Sequence, residues 1–297
     1  GDTLAVNLSH ADETVTVTGS LVQVTAGASL KAVNYSGIES LIVNGRAGND
    51  TFNVAPAAIP IFIDGGDPIG VLPGDRLVLD AGGGAVTFAP GPENDEGGYD
   101  VEANAPVSFD HIESVAVVNP GPVIVFGTDP EDNITVIARD GSYDAGADGI
   151  QDFTVAVNDG PEILFLNAAS LAIYALGCSD EIAVQAPAPN LVVWNVALTI
   201  DGGLPTASDK LIVGTPGTTD TVTYAPTGPD SGTLTIANLN TVFNISQIEH
   251  LVYDGEAGND SLTVLGTAAV DTFIHTPGAA VDAGVLRVNS LLPINYQ

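Results

Sequence analysis

The sequence predicts an all-β protein, and among all-β architectures a parallel β-solenoid or β-helix-like repeat array. Tandem β-sandwich domains are the alternative arrangement. Three observations predict this. A five-residue phrase, an acidic residue followed by apolar residues at its third and fifth positions, recurs along all 297 residues. No window longer than about ten residues keeps a helical period. A much longer repeat of about 136 residues lies above the short one.

The short phrase reads Asp2-Thr3-Leu4-Ala5-Val6, Asp50-Thr51-Phe52-Asn53-Val54, Asp75-Arg76-Leu77-Val78-Leu79 and Asp132-Asn133-Ile134-Thr135-Val136. It returns at Asp180, Asp209, Asp220 and Asp260, and more loosely at Glu13 and Asp271. Alternating apolar residues, many β-branched, make a short strand with one buried face. The acidic residue ahead of each strand sits at a turn, where it either accepts backbone hydrogen bonds or binds a cation. Gly, Asn and Pro clusters supply the turns. Residues 39 to 81 read as strand, short turn, strand, with no hairpin signal between neighbours. Residues 167 to 177 align with 35 to 45 and are expected to be a strand, although they come nearest to a helical pattern. Residues 89 to 103 and 145 to 155 interrupt the pattern and read as loops or hairpins; Tyr99 falls in the first, and Tyr143 in the acidic stretch 140 to 149 that overlaps the second, so both are expected on projecting segments.

The long repeat pairs Asp64-Gly65-Gly66 with Asp201-Gly202-Gly203, Asp75 with Asp209, and Ile112-Glu113 with Ile248-Glu249; a third Ile-Glu stands at Ile38-Glu39. The expected organisation is a first unit at 1–120, incomplete at its start, a second at 121–257 and a partial third at 258–297, or one continuous solenoid. Residues 258 to 297 echo 1 to 36. The expectation is therefore a slice of a longer array, or a protomer completed head-to-tail by another copy.

The charge bounds the partners. Six Lys and Arg stand against 37 Asp and Glu, a formal net charge of −31. Such a surface repels nucleic acid and attracts divalent cations. Cys178 is the only cysteine, so no internal disulfide forms. No run of eighteen apolar residues predicts a membrane span. The four histidines, His10, His111, His250 and His275, form no H-x-H or H-x-x-x-H pair and do not recur between repeats, so they are expected at the surface or at strand edges. No nucleophile elbow or phosphate-binding loop occurs. The acidic residues follow the structural repeat, whereas catalytic residues should break it. No enzyme is expected.

Two segments carry a sharper signal. "GRAGNDTFNV" at 45 to 54 and "GEAGNDSLTV" at 255 to 264 fit the nine-residue pattern G-G-x-G-x-D-x-U-x with a charged second residue. Asn49 and Asp50 in the first, and Asn259 and Asp260 in the second, are candidate metal ligands, oxygen-only and so suited to Ca²⁺. The acidic insertion "DGSYDAGADG" at 140 to 149 adds Asp140, Asp144 and Asp148. The alternative for each Asp is that it only caps its turn. The two "AGND" motifs resemble the RTX, or haemolysin-type, calcium-binding repeats. Longer phrases such as "IESLIVNGRAGNDTFNV" and "IEHLVYDGEAGNDSLTV" resemble very large secreted repeat proteins of bacterial cell surfaces, of the kind found in planctomycete-type bacteria. The resemblance implies Ca²⁺ held at stacked turns and an extracellular, cell-surface location.

The function expected from the sequence is that of a non-enzymatic extracellular structural repeat protein, part of a surface layer, sheath, filament or giant adhesin. It would be stabilised by calcium and partnered by copies of itself. The alternative is a ligand-binding adhesin module whose projecting loops contact surface glycans or protein.

Overall fold

The computed structural model describes residues 1–186, 193–204, 208–215 and 217–297, and among these no helix occurs. Contacts divide the chain into two compact units, Gly1–Ile124 with Asp159–Ala168, and Val125–Asn158 with Ala169–Gln297.

The first unit opens with β1 (Thr3–Asn7), β2 (Thr14–Thr18), β3 (Leu21–Ala26) and β4 (Ser29–Asn34). It continues through β5 (Ser40–Asn44), β6 (Thr51–Val54), β7 (Ile61–Asp64) and β8 (Arg76–Asp80). Next come β9 (Val86–Pro90), β10 (Gly97–Val101), β11 (Val107–Asp110) and β12 (Ser114–Val118). At the sequence boundary of the units lies β13 (Val123–Phe126), followed in the second unit by β14 (Asn133–Ala138) and β15 (Phe153–Val157). The chain then returns to the first unit for β16 (Ile163–Phe165).

The rest of the second unit holds β17 (Ser170–Tyr174), β18 (Glu181–Gln185), β19 (Ala197–Asp201) and β20 (Lys210–Gly214). A further group is β21 (Thr221–Pro226), β22 (Gly232–Ile236), β23 (Thr241–Ser246) and β24 (His250–Asp254). Last come β25 (Ser261–Val264), β26 (Phe273–Pro277), β27 (Gly284–Val288) and β28 (Ile294–Tyr296).

Within the first unit, the parallel-stacked strands from β1 to β12 alternate along the chain between two sheets, as a solenoid with two strands per rung requires. One sheet stacks β1, β5, β7 and β11 in parallel, and the other stacks β2, β6, β8, β12 and β16 in parallel. The second unit repeats this with β17, β19 and β23 in one sheet and β14, β18, β20, β24 and β28 in the other. The parallel β-solenoid expected from the alternating phrase is thus the observed architecture.

Register converts the sequence phrase into apolar ladders. Val15, Phe52, Leu77, Val115 and Ile163 stand side by side, two residues ahead of Val17, Val54, Leu79, Val117 and Phe165. Each of these ten side chains is buried. In the second unit Ile134, Ile182, Leu211, Leu251 and Ile294 form the same line. Burying a side chain of this size contributes about 1.5–3 kcal/mol relative to exposure. A slip of one residue would turn the whole set outward.

The sequence reading undercounted hairpins. The segment read as free of them, β5 to β8, is free of them, but antiparallel meanders interrupt the parallel stacks elsewhere: β2–β3–β4, β9–β10–β11, β21–β22–β23 and β26–β27–β28. The stretch at 89 to 103 is the β9–β10 hairpin. It does not project Tyr99 into solvent. Tyr99 is buried between Phe88 and Phe109, with ring centroids at 5.2 and 5.8 Å. Cross-strand aromatic packing outweighs exposure of the phenol here. Tyr143 is exposed, with the Arg139 guanidinium 4.1 Å from its ring centroid.

The turns between rungs leave no room for a side chain. A Cβ on Gly65 would lie 2.1 Å from the His111 carbonyl oxygen, and one on Gly202 would lie 2.1 Å from that of Gln247. We expect Gly65→Ala and Gly202→Ala each to lower stability by about 1–3 kcal/mol. Gly98→Ala, whose Cβ would meet its nearest atom at 4.0 Å, should cost well under that in the same denaturant titrations.

Candidate functional site: a carboxylate ladder and an acidic histidine cluster

The residue before β2, β6, β8, β12, β14, β18, β20 and β24 is acidic, and the carboxylates of Asp50, Asp75, Glu113, Asp180, Asp209 and Glu249 reach along the stack to the neighbouring rung. The Glu13 N–H donates to Asp50 Oδ1 at 2.7 Å, the Asp50 N–H to Asp75 Oδ1 at 2.6 Å, and the Asp75 N–H to Glu113 Oε2 at 2.7 Å. The second unit repeats the series. The Asp132 N–H donates to Asp180 Oδ1 at 2.8 Å, the Asp180 N–H to Asp209 Oδ1 at 2.9 Å, and the Asp209 N–H to Glu249 Oε2 at 2.9 Å. Both series end on the Glu of an Ile-Glu pair. On the other sheet the Asp220 N–H donates to Asp260 Oδ1 at 2.8 Å. Charge-assisted bonds of this kind are about twice as strong as neutral ones.

Where an antiparallel hairpin replaces the parallel neighbour, an asparagine takes over. Asn158, Asn238 and Asn289 each donate Nδ2–H to Asp132, Asp220 and Asp271 at 2.7, 2.6 and 2.8 Å. The amide oxygens of the same three residues accept the N–H of Asn133, Thr221 and Thr272.

The second oxygen of these carboxylates is the unusual part. Asp50 Oδ2, Asp75 Oδ2, Asp180 Oδ2, Asp209 Oδ2 and Asp220 Oδ2 are buried without a hydrogen-bond partner, as are Glu13 Oε2 and Glu249 Oε1. Burial opposes the charged form, and the next acidic group along the stack opposes it again. Burial pushes Asp50 up to about 7 and Asp75 and Asp180 up to about 6, against the lowering effect of the accepted backbone bond. Asp209 is raised for the same first reason.

The candidate ligands read from the sequence fall into three places. Asp50 is buried in the first ladder, and the Asn49 N–H beside it donates to Asp12 Oδ1 at 2.9 Å. Asn259 and Asp260 are exposed, with Asp260 serving the Asp220 N–H. Asp140, Asp144 and Asp148 lie in the loop before β15, and each turns a carboxylate oxygen to a nearby main-chain N–H: Ser142, Ala145 and Ile150 respectively. Both "AGND" segments are turns that lead into a strand, and their Asp residues hold the adjacent rung rather than their own turn.

Among the described residues, the side chains that do come together as a ligand group are Asp95, Asp110 and His111, which sequence reading did not single out. One ligand atom from each lies within 4.8 Å of the others, and all three residues are half-buried. This cluster could hold a metal ion. Asp110 ends β11, His111 follows in a left-handed turn with φ of 53°, and Asp95 comes from the β9–β10 turn. The Ile112 N–H ties that turn down through the Asp95 carbonyl at 3.2 Å. His111 Nδ1 lies 2.9 Å from Asp64 Oδ1, and Nε2 lies 3.8 Å from Asp110 Oδ1. The Asp64 hydrogen bond raises the imidazole above its usual value. A signal was present in the sequence: the residue before Ile-Glu is His111 in one copy, Gln247 in the second and Gly37 in the third.

No family, no curated protein and no solved structure matches this chain. No helix among the described residues is long and apolar enough to cross a membrane.

The raised carboxyls fix a sign. An Asp whose pKa is higher folded than unfolded binds its proton more tightly in the native state, so its contribution to stability is present at low pH and lost as pH rises through the folded value. Asp50, Asp75 and Asp180 place that loss between about pH 4 and pH 7. Melting temperature is expected to fall from about pH 5 to about pH 8 at matched ionic strength. Asp50→Asn, which keeps the acceptor for Glu13, should shallow that fall. Asp50→Ala strands the buried Glu13 N–H and should lose about 1–3 kcal/mol at either pH.

Proposed function

We propose that this chain is a non-catalytic structural repeat protein of the cell exterior, a segment of a surface layer, sheath, filament or giant adhesin, stabilised by Ca²⁺. The observation that carries the reading is the use made of the acidic repeat. Its carboxylates are engaged in joining one rung to the next, and the same step recurs in both units. A stack built this way gains stability by nearest-neighbour increments, which suits a component that is long and mechanical. The net charge of −31 and the oxygen-only "AGND" turns support Ca²⁺ as the cation, since hard cations prefer carboxylate and carbonyl oxygen. Exposed apolar residues at Leu265, Val270, Phe273 and Ile274, around and on β26, support contact with a further copy or with more of the same array. Exposed Tyr143 beside Arg139 is the feature that favours an adhesin module binding surface glycans or protein.

Two measurements bear on this. Thermal melts with Ca²⁺ and with excess chelator, at matched ionic strength, should separate; saturation at a hundred times Kd corresponds to about 2.7 kcal/mol. Coincident curves would remove calcium from the account. Antibody labelling of native material under the electron microscope should decorate an ordered surface array or filament. Label confined to dispersed soluble molecules would contradict the structural role.

A further inference from the structure

We propose that Asp95, Asp110 and His111 Nε2 form a site for a borderline transition-metal dication, zinc(II) first among them, with Asp64 as the positioning residue on the far side of the imidazole. This site is separate from the calcium reading above and does not depend on it.

The ligand chemistry sets the class of metal. Imidazole nitrogen with carboxylate oxygen suits zinc and its neighbours, whereas calcium takes oxygen alone. Three protein ligands leave a position for water or another small ligand, as in open zinc sites. The Asp64–His111 contact of 2.9 Å fixes Nδ1 as the hydrogen-bonded nitrogen. It thereby aims Nε2 at Asp110, the outer-sphere arrangement that orients metal-bound histidines. The His111 N–H donates to Asp110 Oδ1 at 2.9 Å, which holds that carboxylate beside the imidazole, 3.8 Å from Nε2.

The internal repeat supplies an independent observation. The second unit builds the same corner of the fold. The Ile248 N–H donates to the Asp230 carbonyl at 3.0 Å, as the Ile112 N–H does to that of Asp95. Gln247 has φ of 53°, the value found at His111. Gly202 abuts the Gln247 carbonyl as Gly65 abuts that of His111. Asp201 occupies the place of Asp64, at the end of β19 as Asp64 ends β7. Yet the ligand positions differ. Gln247 stands for His111 and Ser246 for Asp110, and the Ser246 hydroxyl donates to Asp201 Oδ2 at 2.9 Å. The corner folds without the histidine and without the second carboxylate. Folding alone therefore does not call for His111 and Asp110, and they are the residues that depart from the repeat. The bare alternative is an imidazolium held between Asp64 and Asp110, with a proton on Nε2 where the metal would sit.

The full chain should bind one Zn²⁺ tightly in isothermal titration with Ca²⁺ present in excess, and Co²⁺ in its place should show visible bands of mixed nitrogen and oxygen ligation. The double variant His111→Gln, Asp110→Ser installs the residues of the second copy, so it should fold with an unchanged far-UV spectrum and lose the site. Asp64→Asn should weaken Zn²⁺ by about 10- to 100-fold while leaving one site. His250→Gln should change nothing. A readout on the unmodified chain guards against misfolding of the variants: Zn²⁺ should protect His111 from diethyl pyrocarbonate and leave His10 and His250 reactive. The proposal is overturned if the double variant binds Zn²⁺ like the parent, if excess Ca²⁺ displaces Zn²⁺, or if His111 reacts equally with and without Zn²⁺.

Discussion

The bond on which the rest of this structure depends runs from the backbone N–H of one acidic residue to the carboxylate of the next acidic residue along the stack. Parallel strands satisfy one another along their length, but the residue just before each strand leaves the turn with its N–H pointing along the stack. In water that group would be solvated. Between rungs it is buried, and leaving it unpaired would cost about 1–3 kcal/mol. An aspartate at that position on the next rung supplies the acceptor, and its own N–H passes the requirement on. The series therefore continues until a glutamate reaches in from an Ile-Glu pair, as Glu113 and Glu249 do. Where a hairpin intrudes, Asn158, Asn238 and Asn289 instead donate to the carboxylates of Asp132, Asp220 and Asp271 and accept the N–H of the residue after each.

This constraint explains the composition as well as the fold. Acidic residues recur because each rung needs one, and glycine precedes them because the turns lie against the neighbouring backbone at Gly65 and Gly202. It also creates a tension. One oxygen of each carboxylate is used, and the other is buried without a partner in Asp50, Asp75, Asp180, Asp209 and Asp220. Like charges one strand apart, about 4.8 Å, repel. A proton relieves that tension by neutralising the group, and a cation relieves it by pairing with the group. The fall in stability with rising pH expected of the raised carboxyls follows from this one arrangement.

Much of the fold was legible because its period is local. The phrase D-x-U-x-U specifies a strand, its buried face and the acidic residue ahead of it, and β6, β8, β14, β18 and β20 follow it directly. The meanders were harder to read. Whether Tyr99 lies on a loop or between Phe88 and Phe109 depends on which strand β10 joins, and that choice is made by packing across about ten residues of chain on either side. The role of the ladder aspartates was half legible. Turn capping was foreseen, but the partner lies 25 to 48 residues away, on another rung. The His111 cluster draws Asp64, Asp95 and Asp110 from three separate segments, so no spacing motif records it. What the sequence did hold was a departure from the repeat, His111 against Gln247, and the structure gives that departure a chemical meaning.

Residue-resolved amide hydrogen exchange tests the ladder most directly. If the carboxylate bonds hold the rungs together, the N–H groups of Glu13, Asp50, Asp75, Asp132, Asp180 and Asp209 should exchange only through global unfolding, as slowly as the strand centres beside them. If those amides exchange at the rate of the exposed turn amides, Gly82 for example, the ladder does not hold the stack and this account of the fold is wrong.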